Sequence, residues 1–343
     1  MADRSRGMVV LALIVGLIGA GLGVYAGFIK EPSGEDAPGY FVSTEAELNA
    51  SIAAIGTGDG IITLIDDITL TGMNQIDTGG SLIIQGYSPS ITVDCGSNTA
   101  FRVFHVGTCI LRDFTINAAG ITGSTDEIIR VDDDDVQIQN VRIIGDIDRE
   151  GIGVYIAGSD VWVTDCYIYQ TQSGIQTSTN AFRNHITGNT IMECNNAGAG
   201  QGIYFLGAKG IIENNYLENC WEALRIEGDE NVVSNNNIFN SRQAGIMVYS
   251  YDSTYTGNRI SCATVNTASN HYGIGLPGDA DYNVFTGNYV MGCTNTGAGT
   301  GYGFSIDTSS ALENTVVGNT FLGNDDDWED NGTNTLDYGN NYT

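Results

Sequence analysis

The sequence predicts an all-β fold, a right-handed, single-stranded parallel β-helix of about ten coils with three strands in each coil. Three observations lead to this prediction. A unit of 21 to 31 residues recurs along most of the chain, it consists of short strands with alternating apolar residues, and it has no helical period. A repeat of this size without helices indicates a solenoid. The sequence lacks the consensus of leucine-rich repeats, and its period is too short for propeller blades.

Each repeat has an anchor position with apolar residues three positions before it and two after it. The first three anchors are Phe114, Val141 and Cys166, and the later ones are asparagines. Identical amides stacked on successive coils can hydrogen bond along the solenoid axis. The sequence therefore predicts a structural asparagine ladder made of Asn189, Asn215, Asn236, Asn258, Asn288 and Asn319.

The segment before the repeats predicts a membrane anchor. Residues 1–6 are polar and contain two arginines, residues 7–29 are an uncharged run, and residues 30–43 are a polar linker. As a helix, the uncharged run spans about 34 Å, which is enough to cross a bilayer. The preceding arginines favour a cytoplasmic N-terminus, with the repeats outside the membrane. The alternative is secretion after removal of a signal peptide.

The β-helix is expected over residues 44–324, and it begins with a capping helix at residues 44–56. Thr44 and Glu47 have the spacing of a capping box, and a glycine ends the helix. A helix at this place would cover the open end of the stacked core. The repeat pattern then stops, so a polar C-terminal cap or tail is expected over residues 325–343.

Charge and cysteine content limit the possible partners and cross-links. The formal net charge of −28 repels nucleic acid. The seven cysteines cannot form a closed disulfide set. Cys194, Cys220 and Cys293 lie five residues after their anchors, and Cys262 lies four after its anchor. A bridge between Cys194 and Cys220 is conceivable because stacked coils are about 4.8 Å apart, but buried free thiols are the expected state.

The recurring coil resembles the pectate-lyase-like superfamily of parallel β-helix repeat proteins over roughly residues 44–324. The resemblance rests on units such as Gly245-Ile-Met-Val-Tyr followed by Thr-Gly-Asn258-Arg-Ile. The chain is also similar, in fold alone, to periplasmic NosD-type β-helix repeats. Enzymes of the superfamily bind polysaccharides along one sheet, so the resemblance implies a polysaccharide or surface glycan as partner. Their catalytic motifs are absent here, and no catalytic residue is carried over.

A row of outward residues in the glycine-led strand is the candidate glycan-binding face. Tyrosine rings stack on sugar rings, and arginines pair with uronate carboxylates. The alternative is that these arginines pair with neighbouring acids, as in Arg225 with Glu227 or Arg130 with Asp132. The candidate glycan-binding residues are Arg102, Arg130, Tyr155, Tyr204, Arg225, Glu227 and Tyr249.

Acidic turns after the same strand form a second candidate site. Stacked carboxylates repel one another unless a cation screens them, and oxygen-rich sites suit calcium. The alternative is that aspartate recurs here because it is a preferred turn residue. The candidate calcium ligands are Asp132, Asp133, Asp134, Asp135, Asp146, Asp148 and Glu150.

The sequence therefore favours a membrane-anchored extracellular β-helix protein that binds polysaccharide along one sheet, with processing of the polymer left open. One alternative is a structural or adhesive cell-surface protein without catalytic activity. Another is a uronate-polysaccharide lyase whose site matches no known motif. The distinguishing feature is the row of arginine and tyrosine residues, since a purely structural protein has no need of it.

Overall fold

The computed structural model describes residues 37–342, apart from residues 105–106, 124, 147, 149 and 197–199. Within this part, the chain winds into a right-handed parallel β-solenoid of about 12 turns with one short helix, so the predicted parallel β-helix is confirmed but has more coils than the ten or so expected. The predicted membrane segment at residues 7–29 lies outside the described residues. Among those that are described, none belongs to a helix that is long and apolar enough to span a membrane.

The described strands form three parallel sheets that run the length of the solenoid. Sheet 1 contains thirteen strands: Gly39–Val42, Gly60–Leu64, Leu82–Gly86, Cys109–Arg112, Val136–Gln139, Trp162–Thr164, His185–Thr187, Ile211–Glu213, Val232–Ser234, Thr254–Thr256, Val284–Thr286, Thr315–Val317 and Leu336–Tyr338. Sheet 2 contains eleven strands: Asn74–Ile76, Phe101–Val103, Glu127–Val131, Ile152–Ile156, Ser173–Thr177, Gln201–Phe205, Glu222–Ile226, Ala244–Val248, His271–Leu276, Gly301–Ile306 and Asp326–Asp330. Sheet 3 contains twelve strands: Ile68–Thr69, Thr92–Asp94, Thr115–Asn117, Arg142–Ile144, Tyr167–Tyr169, Thr190–Met192, Tyr216–Glu218, Asn237–Ser241, Arg259–Cys262, Tyr289–Met291, Thr320–Leu322 and Asn341–Tyr342.

Each coil passes through sheet 1, then sheet 3, then sheet 2, and the core lies between the three sheets. The apolar positions stack in register, for example Val163 on Ile186 in sheet 1 and Ile168 on Ile191 in sheet 3. These side chains are fully buried. Burial contributes about 1.5–3 kcal/mol for each such side chain, so a short strand with one or two core residues is stable only because its neighbours repeat it.

The corner between sheets 1 and 3 is where the asparagine ladder lies. The residue before each predicted rung has a positive φ, as at Gly188, Asn214 and Gly257, which explains why Gly or Asn precedes the rungs. Each rung bonds to the next; the Asn236 amide nitrogen, for instance, donates to Asn258 Oδ1 at 3.0 Å. The same contact joins all of the predicted rungs and continues to a further asparagine.

A second polar column, which the sequence analysis missed, fills the corner between sheets 2 and 1. The Asn231 backbone N–H donates to Ser253 Oγ, the Ser253 N–H donates to Asn283 Oδ1, and the Asn283 N–H donates to Asn314 Oδ1, each at 3.0 Å. All four residues are buried. Serine replaces asparagine at one rung of this column, and Gly210 occupies the rung before Asn231. Because the residue type changes along the column, the sequence pattern did not reveal it.

The N-terminal capping helix spans Glu45–Ile55, with Thr44 as its N-cap and a glycine as its C-cap, in agreement with the sequence. Its residues Leu48, Ile52 and Ile55 join the core. The predicted linker is wrong in part, because Gly39–Val42 pairs with Gly60–Leu64 as the first strand of sheet 1. The aromatic and β-branched residues of this short segment favour an extended strand, which pairs with the next strand at the edge of sheet 1.

The C-terminal segment, expected as a polar cap or tail, instead adds another coil. It contributes a strand to each sheet, and Asn319 bonds to Asn340 as the next rung of the ladder. The Trp328 ring stacks on Phe304 with centroids 4.9 Å apart. The coil escaped the pattern because Asp337 occupies an apolar position opposite Val316.

The cysteines correct another expectation. Cys262 and Cys293, expected as free thiols, form a disulfide between adjacent coils with Cα atoms 4.8 Å apart. This distance is within the range that a disulfide requires, because the two residues stack directly. Cys194 and Cys220, for which a bridge was conceivable, remain free thiols, and the Cys220 thiol donates a hydrogen bond to Glu218 O at 3.6 Å. The other free cysteines are also buried.

Candidate functional site

The candidate face is the outer surface of sheet 2, where side chains form three columns along the axis. We call these columns together the sheet 2 face. The first column is Glu127, Ile152, Ser173, Gln201, Glu222, Ala244, Tyr272, Tyr302 and Asp326. The second is Arg102, Arg130, Tyr155, Gln176, Tyr204, Arg225, Met247, Gly275, Ser305 and Glu329. The third, two residues further on, is Phe104, Asp132, Ala157, Ser178, Leu206, Glu227, Tyr249, Pro277, Asp307 and Asn331.

Aligning the repeats within the sequence placed the second column in its correct register, but the sequence analysis missed the first column. A glycine two residues before most second-column residues explains the difference. A Cβ on Gly153 would lie 2.5 Å from Gly174 O and 2.9 Å from the core residue Ile168. The strand therefore approaches the core at this point, and residues three apart, such as Glu222 and Arg225, share the outer face. The recurring glycine is the signal that could have revealed the column.

The N-terminal end of the face is a network of two arginines and two acids. Asp132 accepts a hydrogen bond from Arg102 Nε at 2.7 Å and another from Arg130 Nε at 2.8 Å. Arg130 Nη1 also donates to Glu127 at 2.9 Å, and its guanidinium lies 5.1 Å from the centre of the Tyr155 ring. Both arginines therefore pair with acids of the same chain, as the alternative interpretation of the sequence required.

The middle of the face is a compact cluster around Arg225. Its guanidinium lies 5.2 Å from the Tyr204 ring centre and 4.8 Å from that of Tyr249. It also contacts Glu227 at 2.6 Å and Glu222 at 3.5 Å. Burial opposes the charged form of Arg225, but the two glutamates outweigh it, so the pKa of Arg225 is raised. Four of the seven predicted glycan-binding residues thus meet in one cluster, while the other three lie at the N-terminal end.

The C-terminal end combines stacked tyrosines with two carboxylates. The Tyr272 and Tyr302 rings are stacked with centroids 6.1 Å apart. The Tyr272 hydroxyl donates to Asp307 at 2.8 Å, and burial, with that carboxylate, raises the pKa of Tyr272. The Ser305 hydroxyl lies between Asp307 and Glu329 and contacts both. The sequence placed Ser305 and Asp307 on the outer side of this strand, but none of the five was selected as a site residue, because aromatic and acidic residues in separate repeats gave no common motif.

The candidate calcium ligands are divided between different contacts. Asp132 pairs with arginines, as described, and Asp134 Oδ1 accepts a hydrogen bond from Ser159 N at 2.6 Å. Asp146 Oδ1 accepts from the Asp148 backbone at 2.8 Å. Burial, followed by nearby acids, raises the pKa of Asp135. In the part of the chain that is described, no three His, Cys, Asp or Glu side chains converge as a metal site, and calcium at these turns remains a prediction.

Comparison with known families decides the relationship of the chain. The family model described as periplasmic copper-binding protein (NosD) matches residues 73–260 and 130–343. The chain belongs to the NosD family. A search of curated proteins finds no match.

Solved structures share the fold of this NosD-family chain at low sequence identity. The Dettilon tailspike protein gp208 aligns with a TM-score of 0.67 and 16% identity, covering 88% of this chain and 64% of the tailspike chain. A GH87 α-1,3-glucanase catalytic domain, solved with tetrasaccharides, gives 0.59 and 12%, covering 91% and 68%. A mannuronic acid specific family 6 polysaccharide lyase from human gut microbiota gives 0.58 and 11%, covering 89% and 83%. At these identities, the comparisons establish a common fold.

Proposed function

We propose that this protein binds polysaccharide along the sheet 2 face. The observation that carries the proposal is the set of half-buried tyrosines, Tyr155, Tyr204 and Tyr249, held at fixed positions by the two arginines beside them. Rings fixed in this way offer apolar surfaces to sugar rings without a large loss of side-chain entropy. Adjacent coils are stacked about 4.8 Å apart, so the sheet 2 face is elongated along the solenoid axis and suits an elongated ligand.

The shared fold supports this choice of ligand. The solved structures with the same architecture include proteins whose names specify mannuronic acid and α-1,3-glucan as substrates. This likeness supports a sugar polymer as the class of ligand, and no residue is carried over from them. The family description names a periplasmic protein, which supports our proposal that the β-helix lies outside the cytoplasm, on a membrane anchor at residues 7–29 or as a secreted chain.

The described residues do not fit the copper of the family description. His185 is stacked on Trp162 with ring centres 3.8 Å apart, and His271 is buried with its Nε2 3.1 Å from a backbone carbonyl. Cys109 and Cys166 are buried among apolar side chains of the hydrophobic core. Copper sites in proteins draw on convergent imidazole and sulfur ligands, and the described chain holds no such group of three.

Calcium is proposed separately for the acidic turns at residues 132–135 and at Asp146, Asp148 and Glu150. If either turn binds calcium, millimolar calcium will raise the thermal midpoint and EDTA will lower it, because a ligand of the folded state stabilises that state. An unchanged midpoint in both conditions would reject calcium at these turns.

A glycan array tests the proposed function with two matched triple variants. The first replaces Tyr155, Tyr204 and Tyr249 by alanine. We expect it to lose binding at least about tenfold, because truncated aromatic anchors each cost about 1 kcal/mol or more.

The second variant replaces three sheet 3 tyrosines that have similar surroundings. Arg142 lies over Tyr167 and Arg259 lies over Tyr289, and the Tyr216 hydroxyl donates to a glutamate, as the Tyr204 hydroxyl does. All six tyrosines are half-buried. Binding that survives this control but not the first variant supports the sheet 2 face. Equal losses in both variants, or no glycan bound by the wild type, would reject the proposal.

A further inference from the structure

We infer that the sheet 2 face selects an uncharged glycan over a polyuronate. This inference rests on the proposed function and assigns the class of polymer that the same site binds. It reverses the role that the sequence gave to the arginines, which was to pair with uronate carboxylates. The evidence is the charge of the face, the use of its arginine donors and the chemistry of its C-terminal end.

The face is negative, although it carries arginines. Among the described residues of its three columns, three are arginines and seven are acids, a formal net charge of −4. Neighbouring residues of one column lie on adjacent coils, about 4.8 Å apart. This distance is less than the Debye length of about 8 Å at physiological salt. A polyuronate, with one carboxylate on each sugar, would therefore lie along unscreened like charges. The seven acids are Glu127, Asp132, Glu222, Glu227, Asp307, Asp326 and Glu329.

The arginines do not offset this charge for an incoming ligand, because they are already paired. Arg225 Nε and Nη2 both contact Glu227 Oε1, and Nη1 faces Glu222. Its two neighbouring tyrosine rings cover the guanidinium further. A uronate could pair with Arg225 only by displacing a glutamate carboxylate of the same sheet, which is already in position. Exchanging one carboxylate for another therefore gains little binding free energy.

The carboxylates keep spare acceptor capacity beside their present partners, because each ionised carboxylate can accept about four hydrogen bonds. Carboxylates are acceptors only, and sugar hydroxyls are donors, so the two form charge-assisted hydrogen bonds. At the C-terminal end, Asp307 and Glu329 stand beside the stacked rings of Tyr272 and Tyr302. Tyr272 itself is buried, and its ring packs over Gly275, where a Cβ would be 2.9 Å from Cγ of that ring. The half-buried Tyr302 ring, stacked on Tyr272, is the aromatic surface that stays accessible. Aromatic faces flanked by acceptors suit a neutral sugar.

The test compares neutral and uronate oligosaccharides of equal length by isothermal titration calorimetry, with EDTA present. The probes are α-1,3-glucan and β-1,4-glucan oligosaccharides on one side and oligomannuronate and oligogalacturonate on the other. At 50 mM NaCl we expect at least one neutral probe to bind about tenfold or more tighter than both uronates. At 500 mM NaCl the difference should shrink, because salt screens the repulsion.

Charge-neutral variants extend the test. The pair Asp307→Asn and Glu329→Gln should raise uronate affinity and lower neutral affinity. The control pair Glu213→Gln and Glu218→Gln lies on sheets 1 and 3 and should change neither.

The outcomes separate this inference from the proposed function. If uronates bind as tightly as neutral probes in EDTA, and the sheet 2 tyrosine variant still abolishes that binding, the proposed function stands and the selectivity is overturned. If no probe binds, both fail. Uronate binding that appears only when calcium replaces EDTA supports the selectivity of the metal-free face.

Discussion

Replacing Asn236 by alanine removes one rung of the asparagine ladder, and the cost follows from the contacts of that rung. Its Oδ1 accepts from the Asn215 backbone N–H at 3.1 Å and from the Asn215 side-chain amide at 3.0 Å. Its Nδ2 donates to Ile212 O at 2.9 Å and to Asn258 Oδ1 at 3.0 Å. The residue is buried, so water cannot replace these partners.

The expected loss of stability is about 2–6 kcal/mol. Two donors of Asn215 lose their acceptor, and a buried donor left without a partner costs about 1–3 kcal/mol. The neighbouring Asn237 provides the control, because it is exposed and lies on the outer surface of sheet 3. Asn237→Ala should change the free energy of unfolding by no more than about 0.5 kcal/mol.

Hydrogen exchange is the appropriate assay, since a solenoid unfolds by local units and its stability is a sum of neighbouring contacts. In Asn236→Ala we expect faster exchange in peptides around Asn215, with unchanged rates in distant coils, while urea denaturation reports the overall loss. Equal exchange rates in the Asn236 and Asn237 variants would refute the view that the ladder stabilises the stack.

Three further predictions concern buried groups. Burial lowers the pKa of His271 to about 4, below its ordinary 6.5, so the unfolded chain binds the proton first. The contribution of neutral His271 to stability is therefore fully present above pH 6.5 and is lost as the pH drops to about 4. In urea titrations over that window, the free energy of unfolding of His271→Gln should fall by up to about 3 kcal/mol less than that of the wild type. Thiol titration of the unfolded, unreduced chain should find five reactive thiols and, after reduction, seven; seven before reduction would exclude the Cys262–Cys293 bridge, and three would indicate a second bridge. Gly245→Ala should cost about 1–3 kcal/mol in urea denaturation, because its Cβ would meet Gly273 O at 2.6 Å, whereas Gly72→Ala, in open space, should be close to neutral; similar costs for both would contradict the tight approach at the glycine column.

The fold followed from the sequence wherever a position repeats without interruption. The rungs from Asn189 to Asn319 form one such column, and stacking places any residue that recurs at a fixed offset. Where a rung changes type, the pattern fails: Ser253 interrupts the second polar column, and Asp337 conceals the last coil. Both residues satisfy the backbone geometry of the stack while breaking the chemical pattern.

The candidate site was less accessible to sequence reasoning. The second column was placed correctly because alternation along a strand fixes which residues point outward. The partners of Arg225 were only in part expected, since Glu222 reaches it across Ala223, which occupies the position that is glycine in most coils and at which the alternation breaks. Equal offsets from the anchors made Cys194 and Cys220 the conceivable bridge, whereas the disulfide joins Cys262 and Cys293, whose offsets differ by one residue.

The most direct test of the binding face is hydroxyl-radical footprinting with and without a neutral oligosaccharide at saturating concentration. Our account predicts that oxidation of Tyr204 and Tyr249 decreases when the glycan binds, while Tyr167 and Tyr289 on sheet 3 keep their rates. Protection of the sheet 3 tyrosines, with Tyr204 and Tyr249 unchanged, would contradict the account and place the glycan on a different face of the β-helix.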